Sequence, residues 1–207
     1  MSALEPAEGP PVVLASASTT RATLLTAAGV RMEPRPASID EAAVREALQA
    51  EGATAQDAAT TLAELKAERV AAGVSPESIV LGADQILTCA GRWFEKPPNR
   101  AAARAQLLDL AGREHELATA VVAFRGGARV WHHAASAHLW LRPCSPEFID
   151  AYLDALGEAA YSSVGAYQIE GLGAQLLARI EGDHFSIQGL PLLEVLEFLR
   201  MQGVLLP

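Results

Sequence analysis

Asp84 closes the apolar run Ser78-Ile79-Val80-Leu81-Gly82-Ala83, and a carboxylate at the end of a buried strand is seldom placed there for packing. An unpaired charge in apolar surroundings is costly, so its presence points to chemistry. Upstream, Ser16, Ser18 and Arg21 stand where a short apolar run gives way to a helix. That arrangement suits an anion, because unbonded N–H groups and the helix dipole face the same point. A plain N-cap is the commoner use of such hydroxyls. Two further cations stand out by type: of 16 Lys and Arg residues, only Lys66 and Lys96 are lysine. In an Ala-rich chain that writes arginine for nearly every cation, a lysine is a candidate for work that needs a compact point charge rather than a planar fork. Composition alone leaves open whether the two are incidental.

The chain that must position these groups has 207 residues, 50% of them hydrophobic, and a formal charge of −9. This is ample for a single compact domain with a real core, expected over 12–207. The acidity excludes a nucleic-acid-coating protein, whose affinity needs a basic footprint, and a polybasic membrane binder. No uncharged apolar run approaches the roughly 20 residues needed to span a bilayer. The first eleven residues, MSALEPAEGPP, carry acids and prolines where a signal peptide would place a basic and then an apolar stretch. They are expected to be a disordered lead-in on a cytoplasmic protein. Cys89 and Cys144 have neither CxxC nor Cys/His zinc spacing, so buried thiols in a reducing compartment are expected. His132 and His133 are neighbours on an expected strand and point to opposite faces, so they cannot share one ion. No GxxxxGK[ST] pattern occurs, which discourages a P-loop phosphotransferase.

Apolar periodicity and capping residues predict the elements in order. Val12–Leu14 reads as a strand, followed by a hydroxyl-capped helix closed by Gly29. Asp40-Glu41 opens a helix to about Glu51, with Asp40 the N-cap, and 54–71 is a second helix carrying Lys66. After the strand that delivers Asp84, Gln85–Cys89 and Arg92–Phe94 form a hairpin about Ala90-Gly91. Then follow a helix over 99–110, a long hairpin over 115–141 about Gly126-Gly127, and a helix from Ser145-Pro146 to Leu156. Ser162–Glu170 is expected to be a flexible polar segment, and Leu192–Met201 a terminal helix.

In order and spacing, LASASTTRATLL at 14–25, Asp40-Glu41, Lys66, LGADQIL at 81–87, Glu95-Lys96-Pro97 and VGAYQIEGLGAQLLARIEGDHFSIQGLPL at 164–192 resemble the Maf family of nucleotide pyrophosphatases. The resemblance runs from about Val12 to Leu199. It implies an α/β fold like that of Maf proteins and inosine triphosphatases: a mixed sheet with flanking helices, in two lobes around a deep nucleotide-binding cleft. It implies hydrolysis of a nucleoside triphosphate to a monophosphate and pyrophosphate, with a divalent cation, magnesium or manganese. Asp84 falls at the family's proton-acceptor position, Glu41 is the expected partner for metal or water, and both are the expected metal ligands. Lys66 and Lys96 join them as catalytic residues, and Ser16, Ser18 and Arg21 as substrate-binding ones. Homodimers are common among resembling proteins, and oligomeric state stays open.

Three positions set this chain apart within that pattern. Thr20 stands where many members have the first arginine of Ser-Pro-Arg-Arg. Gln85 and Glu170 replace the threonine and glutamine of members acting on thymidine and uridine triphosphates. Both are similar to the subfamily acting on 7-methylguanosine triphosphate, and a carboxylate at 170 can accept from guanine N1–H and the exocyclic amine. A guanosine-type base is therefore expected, with Thr20, Gln85 and Glu170 as specificity residues. The alternative is a nucleotide-binding regulator of cell division without turnover.

Overall fold

The computed structural model describes residues 9–207. Residues 1–8, most of the expected lead-in, lie outside the described residues. Among the described residues seven strands form one sheet: β1 (Val12–Leu14), β2 (Glu33–Pro34), β3 (Ile79–Cys89), β4 (Arg92–Phe94), β5 (Glu114–Arg125), β6 (Ala128–Leu141) and β7 (Leu177–Glu181). Their order is β2-β1-β3-β5-β6-β7, with β4 paired to β3. The helices are α1 (Thr19–Ala27), α2 (Glu41–Ala50), α3 (Ala55–Ala71), α4 (Arg100–Leu110), α5 (Pro146–Leu156), α6 (His184–Ile187) and α7 (Leu192–Met201). A mixed sheet with flanking helices is the arrangement expected of this α/β chain.

By compactness the described residues divide into two units, one formed by 9–85, 119–135 and 184–207, the other by 86–118 and 136–183. In the first, β1 pairs in parallel with β2 and with β3, and Val13 lies opposite Val80. Side chains alternate along β3. Ile79, Leu81 and Ala83 enter a core with Val12, Leu14, Leu25 of α1 and Val195, Phe198 and Leu199 of α7. Residues 80, 82 and 84 take the opposite face. There α3 comes so close that a Cβ on Gly82 would sit 2.1 Å from the Ala63 carbonyl oxygen and 2.7 Å from the Ala67 nitrogen. α2 lies against α3 and buries none of its own residues.

In the second unit, β3 and β4 form the expected hairpin, with Leu87 opposite Phe94. Its two-residue turn has positive φ at Ala90 and Gly91, the backbone twist that a tight hairpin requires. α4 and α5 pack together, and Arg100 and Arg104 of α4 reach Asp150 of α5. Between α5 and β7 the chain runs through short 3-10 turns at Gly157–Tyr161, Val164–Ala166 and Leu172–Leu176.

Two expectations are corrected. β3 continues without a break through Asp84 to Cys89, so Asp84 lies within the strand rather than at its end. Ser162–Glu170 is packed rather than loose: Val164, Gly165, Ala166 and Tyr167 are buried. Ser163 donates to the Tyr167 carbonyl at 2.7 Å, and Tyr152 to that of Ala166 at 3.2 Å. The hydroxyl cap of α1 (Ser18), Asp40 and Ser145 fall as expected, and Thr54 and Asn99, expected only as the first helical residues, are caps as well, each accepting from an amide of the first turn.

Candidate active site

Gly82 and Asp84 share a face of β3, so the glycine that admits α3 also sets Lys66 of that helix opposite the carboxylate. Lys66 Nζ lies 2.7 Å from Asp84 Oδ1 and 2.9 Å from Glu41 Oε2. Asp84 is 3% exposed and Lys66 6%. The other carboxylate oxygen, Asp84 Oδ2, accepts from Arg45 at 3.4 Å, and Arg45 also faces Glu41 at 3.7 Å. Glu41 and Arg45 are one helical turn apart on α2, spaced i,i+4 to share a face. Three elements thus bring two carboxylates and two cations together. The charges cancel, which is how a carboxylate can be kept in mid-strand.

Arg45 is the residue that the sequence did not single out. Its signal was its place four residues after Glu41, but one arginine among fourteen carries little information by type.

On the other side of β3, Arg21 reaches in from α1. It is 9% exposed and donates to Ser16 Oγ at 3.1 Å, to the Ala83 carbonyl at 2.8 Å and to the Gly189 carbonyl at 2.7 Å. Burial lowers its proton affinity, and the charges of Asp84 and Glu41 oppose that. Ser16 Oγ accepts from both Arg21 and the Ser18 amide, the latter at 3.2 Å. A hydroxyl with both lone pairs engaged has only its proton left to offer. Ser18 caps α1, accepting from the Arg21 amide at 3.3 Å. Thr20 is half-buried in the first turn.

Gln85 follows Asp84 on the strand and so faces the opposite way. Its amide nitrogen lies 2.8 Å from Thr119 Oγ1 and 3.0 and 3.1 Å from the carbonyls of Ser186 and Ile187. It thereby ties β3 to β5 and to the short helix α6.

Lys96 and Glu170 belong to the second unit and are exposed there. Glu170 follows the packed segment about Tyr167, and its charge is among the causes that raise Tyr152, after burial. His115 of β5 is buried beside that segment, with Nε2 at 2.6 Å from the Tyr167 hydroxyl. Burial holds its imidazole down at about 4.

Among the described residues no three His, Cys, Asp or Glu side chains gather as a metal-binding group. Nor is any helix long and apolar enough to cross a membrane.

The family model described as Maf-like protein matches residues 11–202. A protein of Granulibacter bethesdensis named nucleoside triphosphate pyrophosphatase is 50% identical over 94% of this chain and 98% of its own length. One of the same name from Paramagnetospirillum magneticum is 51% identical over 94% of this chain and 100% of its own. A protein of Rhizobium meliloti named 7-methyl-GTP pyrophosphatase is 45% identical over 95% of this chain and 98% of its own. With its motifs, its mixed sheet and this extent of similarity, the chain belongs to the family of Maf-like proteins.

Proposed function

We propose that this protein hydrolyses a nucleoside triphosphate between the α and β phosphates, releasing a nucleoside monophosphate and pyrophosphate. The observation that carries the reading is Asp84, a buried carboxylate set between Lys66 and Arg45 beside Glu41. Asp84 orients a water and takes its proton as the water oxygen bonds to the α-phosphorus. The bond from that phosphorus to the bridging oxygen breaks, and pyrophosphate departs with the electron pair. Lys66 supplies positive charge where negative charge gathers on the leaving group. Ser16 donates its hydroxyl proton to a phosphate oxygen, and the start of α1 adds its dipole. Arg21 shapes this corner, joining β1, β3 and the chain before α7.

Two carboxylates whose oxygens are bridged by one ammonium suit a magnesium or manganese ion that completes its shell with phosphate oxygens and water. Glu41 and Asp84 would hold it, and it would supply charge neutralisation on the phosphates. In a chain of net charge −9, this pocket concentrates positive potential locally.

For the base, a guanosine-type nucleotide is favoured. Glu170 offers a carboxylate to a guanine edge, and one relative is named for 7-methyl-GTP. The role that fits this reading is removal of unwanted nucleotides, a house-cleaning task in the cytoplasm.

The test is a screen of pyrophosphate release over standard, methylated and deaminated triphosphates with Mg2+ and Mn2+. Turnover of at least one is expected, and none from any would overturn the hydrolase in favour of a nucleotide-binding regulator. Asp84→Asn should lower kcat by roughly 10²–10⁴-fold while triphosphate binding persists. Glu170→Gln should change preference among bases; equal loss on every substrate would move Glu170 into the catalytic set.

A further inference from the structure

We infer that Arg45 is a positioning residue of this reaction: it keeps the Asp84 carboxylate, and Glu41 on its own helix, in place when Lys66 turns toward phosphate. The inference rests on the hydrolase reading above. It starts from the division of labour at Asp84. Lys66 takes Oδ1 and Arg45 takes Oδ2, so the two cations hold different oxygens. Lys66 also bridges to Glu41, and it must leave at least one of these oxygens if a divalent ion is to be held there or if its ammonium is to meet the leaving pyrophosphate. At that moment Arg45 is the contact that still fixes the plane of Asp84.

The build of α2 makes this more than one ion pair among many. No residue of the helix is fully buried, and its apolar contribution is limited to half-buried side chains such as Val44 and Leu48, so its ion pairs carry a larger share in setting its place against β3. Its Glu41 reaches Lys66 of α3, and its Arg45 reaches Asp84 of β3. When Lys66 is engaged elsewhere, Arg45 is the link between α2 and the strand. It also faces Glu41 along the helix, at 3.7 Å, so one guanidinium holds both carboxylates. Both contacts come from one nitrogen, Nη2, at 3.4 Å from Asp84 and 3.7 Å from Glu41, so it is the placement of this charge between the two carboxylates that matters.

The experiment compares the full-length wild type with Arg45→Gln, Arg45→Lys and Arg45→Met, using a triphosphate that the wild type cleaves. Arg45→Gln is expected to melt close to the wild type, to lose at least about tenfold in kcat and to change KM by less than about threefold. Arg45→Lys should recover part of that loss, because a positive charge returns on a shorter side chain. A second arm titrates Mn2+ without nucleotide. Removing one cation leaves the four-residue group at −1, so Mn2+ should bind at least about threefold tighter as kcat falls, a divergence that mere loss of folding cannot produce. Arg45→Met preserves the packing of the aliphatic stem and is judged by the same criteria should the glutamine variant melt too low to assay. A kcat within twofold of wild type in Arg45→Gln or Arg45→Met overturns the inference, as does unchanged Mn2+ affinity. If the wild type cleaves no triphosphate, the hydrolase reading falls, and unchanged Mn2+ affinity would separately show that Arg45 does not sit on these carboxylates.

Discussion

Lys66 and Arg21 are both buried cations, yet they answer opposite needs. Arg21 spends its guanidinium on two carbonyls and a hydroxyl held on three different segments, a task for several donors in a fixed fork. Lys66 puts a single nitrogen within 2.9 Å of two carboxylates. Lys66→Arg therefore keeps the charge but brings a larger, planar head into a space closed by α3 and β3. We expect a folded protein with kcat at least about tenfold lower, measured by pyrophosphate release; wild-type turnover would show that charge alone suffices. The scarcity of lysine marked this residue in the sequence. Its bond to Asp84, 18 positions away, could not be read there, because only the packing of α3 on β3 makes them neighbours. Arg45 was hidden for the converse reason, its type being the common one.

For secondary structure, what is local was legible and what is neutralised from afar was not. α1, α2 and α7 begin and end where side-chain caps, glycines and apolar spacing place them. A charge at the end of an apolar run reads as the end of the strand; Lys66 and Arg45 neutralise Asp84, and β3 continues to Cys89. The polar segment 162–170 is pinned by hydrogen bonds and by Tyr167, whose partner His115 lies 52 residues earlier. The approach of α3 to β3 hangs on one missing side chain. In Gly82→Ala the new Cβ meets backbone atoms of α3, at 2.1 Å from the Ala63 oxygen, so the helix itself must shift. A cost of about 2–3 kcal/mol is expected, seen as a melting temperature lower by roughly 5–10 °C, with activity falling as Lys66 is carried away from Asp84. An unchanged melt would mean that α3 yields freely.

At the scale of the whole molecule, acid should act through His115 before the surface ion pairs matter. The imidazole is held at about 4 in the folded chain and is 2% exposed, while an unfolded histidine titrates near 6.5. Between those values the unfolded chain binds the extra proton, so stability rises with pH across this window. The contribution is full above about 6.5 and is lost as pH falls toward 4. The difference is worth about 3 kcal/mol at most. Burial raises the Tyr167 hydroxyl, so it stays protonated throughout. Urea unfolding at pH 7 and pH 4.5 should show the loss, and His115→Phe should flatten it. An equal loss in that variant would place the acid sensitivity on carboxylates such as Asp150, whose proton affinity Arg104 lowers.

The two lysines also give the protein a built-in reporter. Lys96 is exposed, whereas Lys66 is wedged between two carboxylates and nearly out of reach of solvent. An amine-acylating reagent should therefore mark the side chain at 96 early and the one at 66 late. With no other lysine in the chain, the two adducts fall in different peptides after digestion and are told apart there, and their ratio reads how often the ammonium leaves its seat.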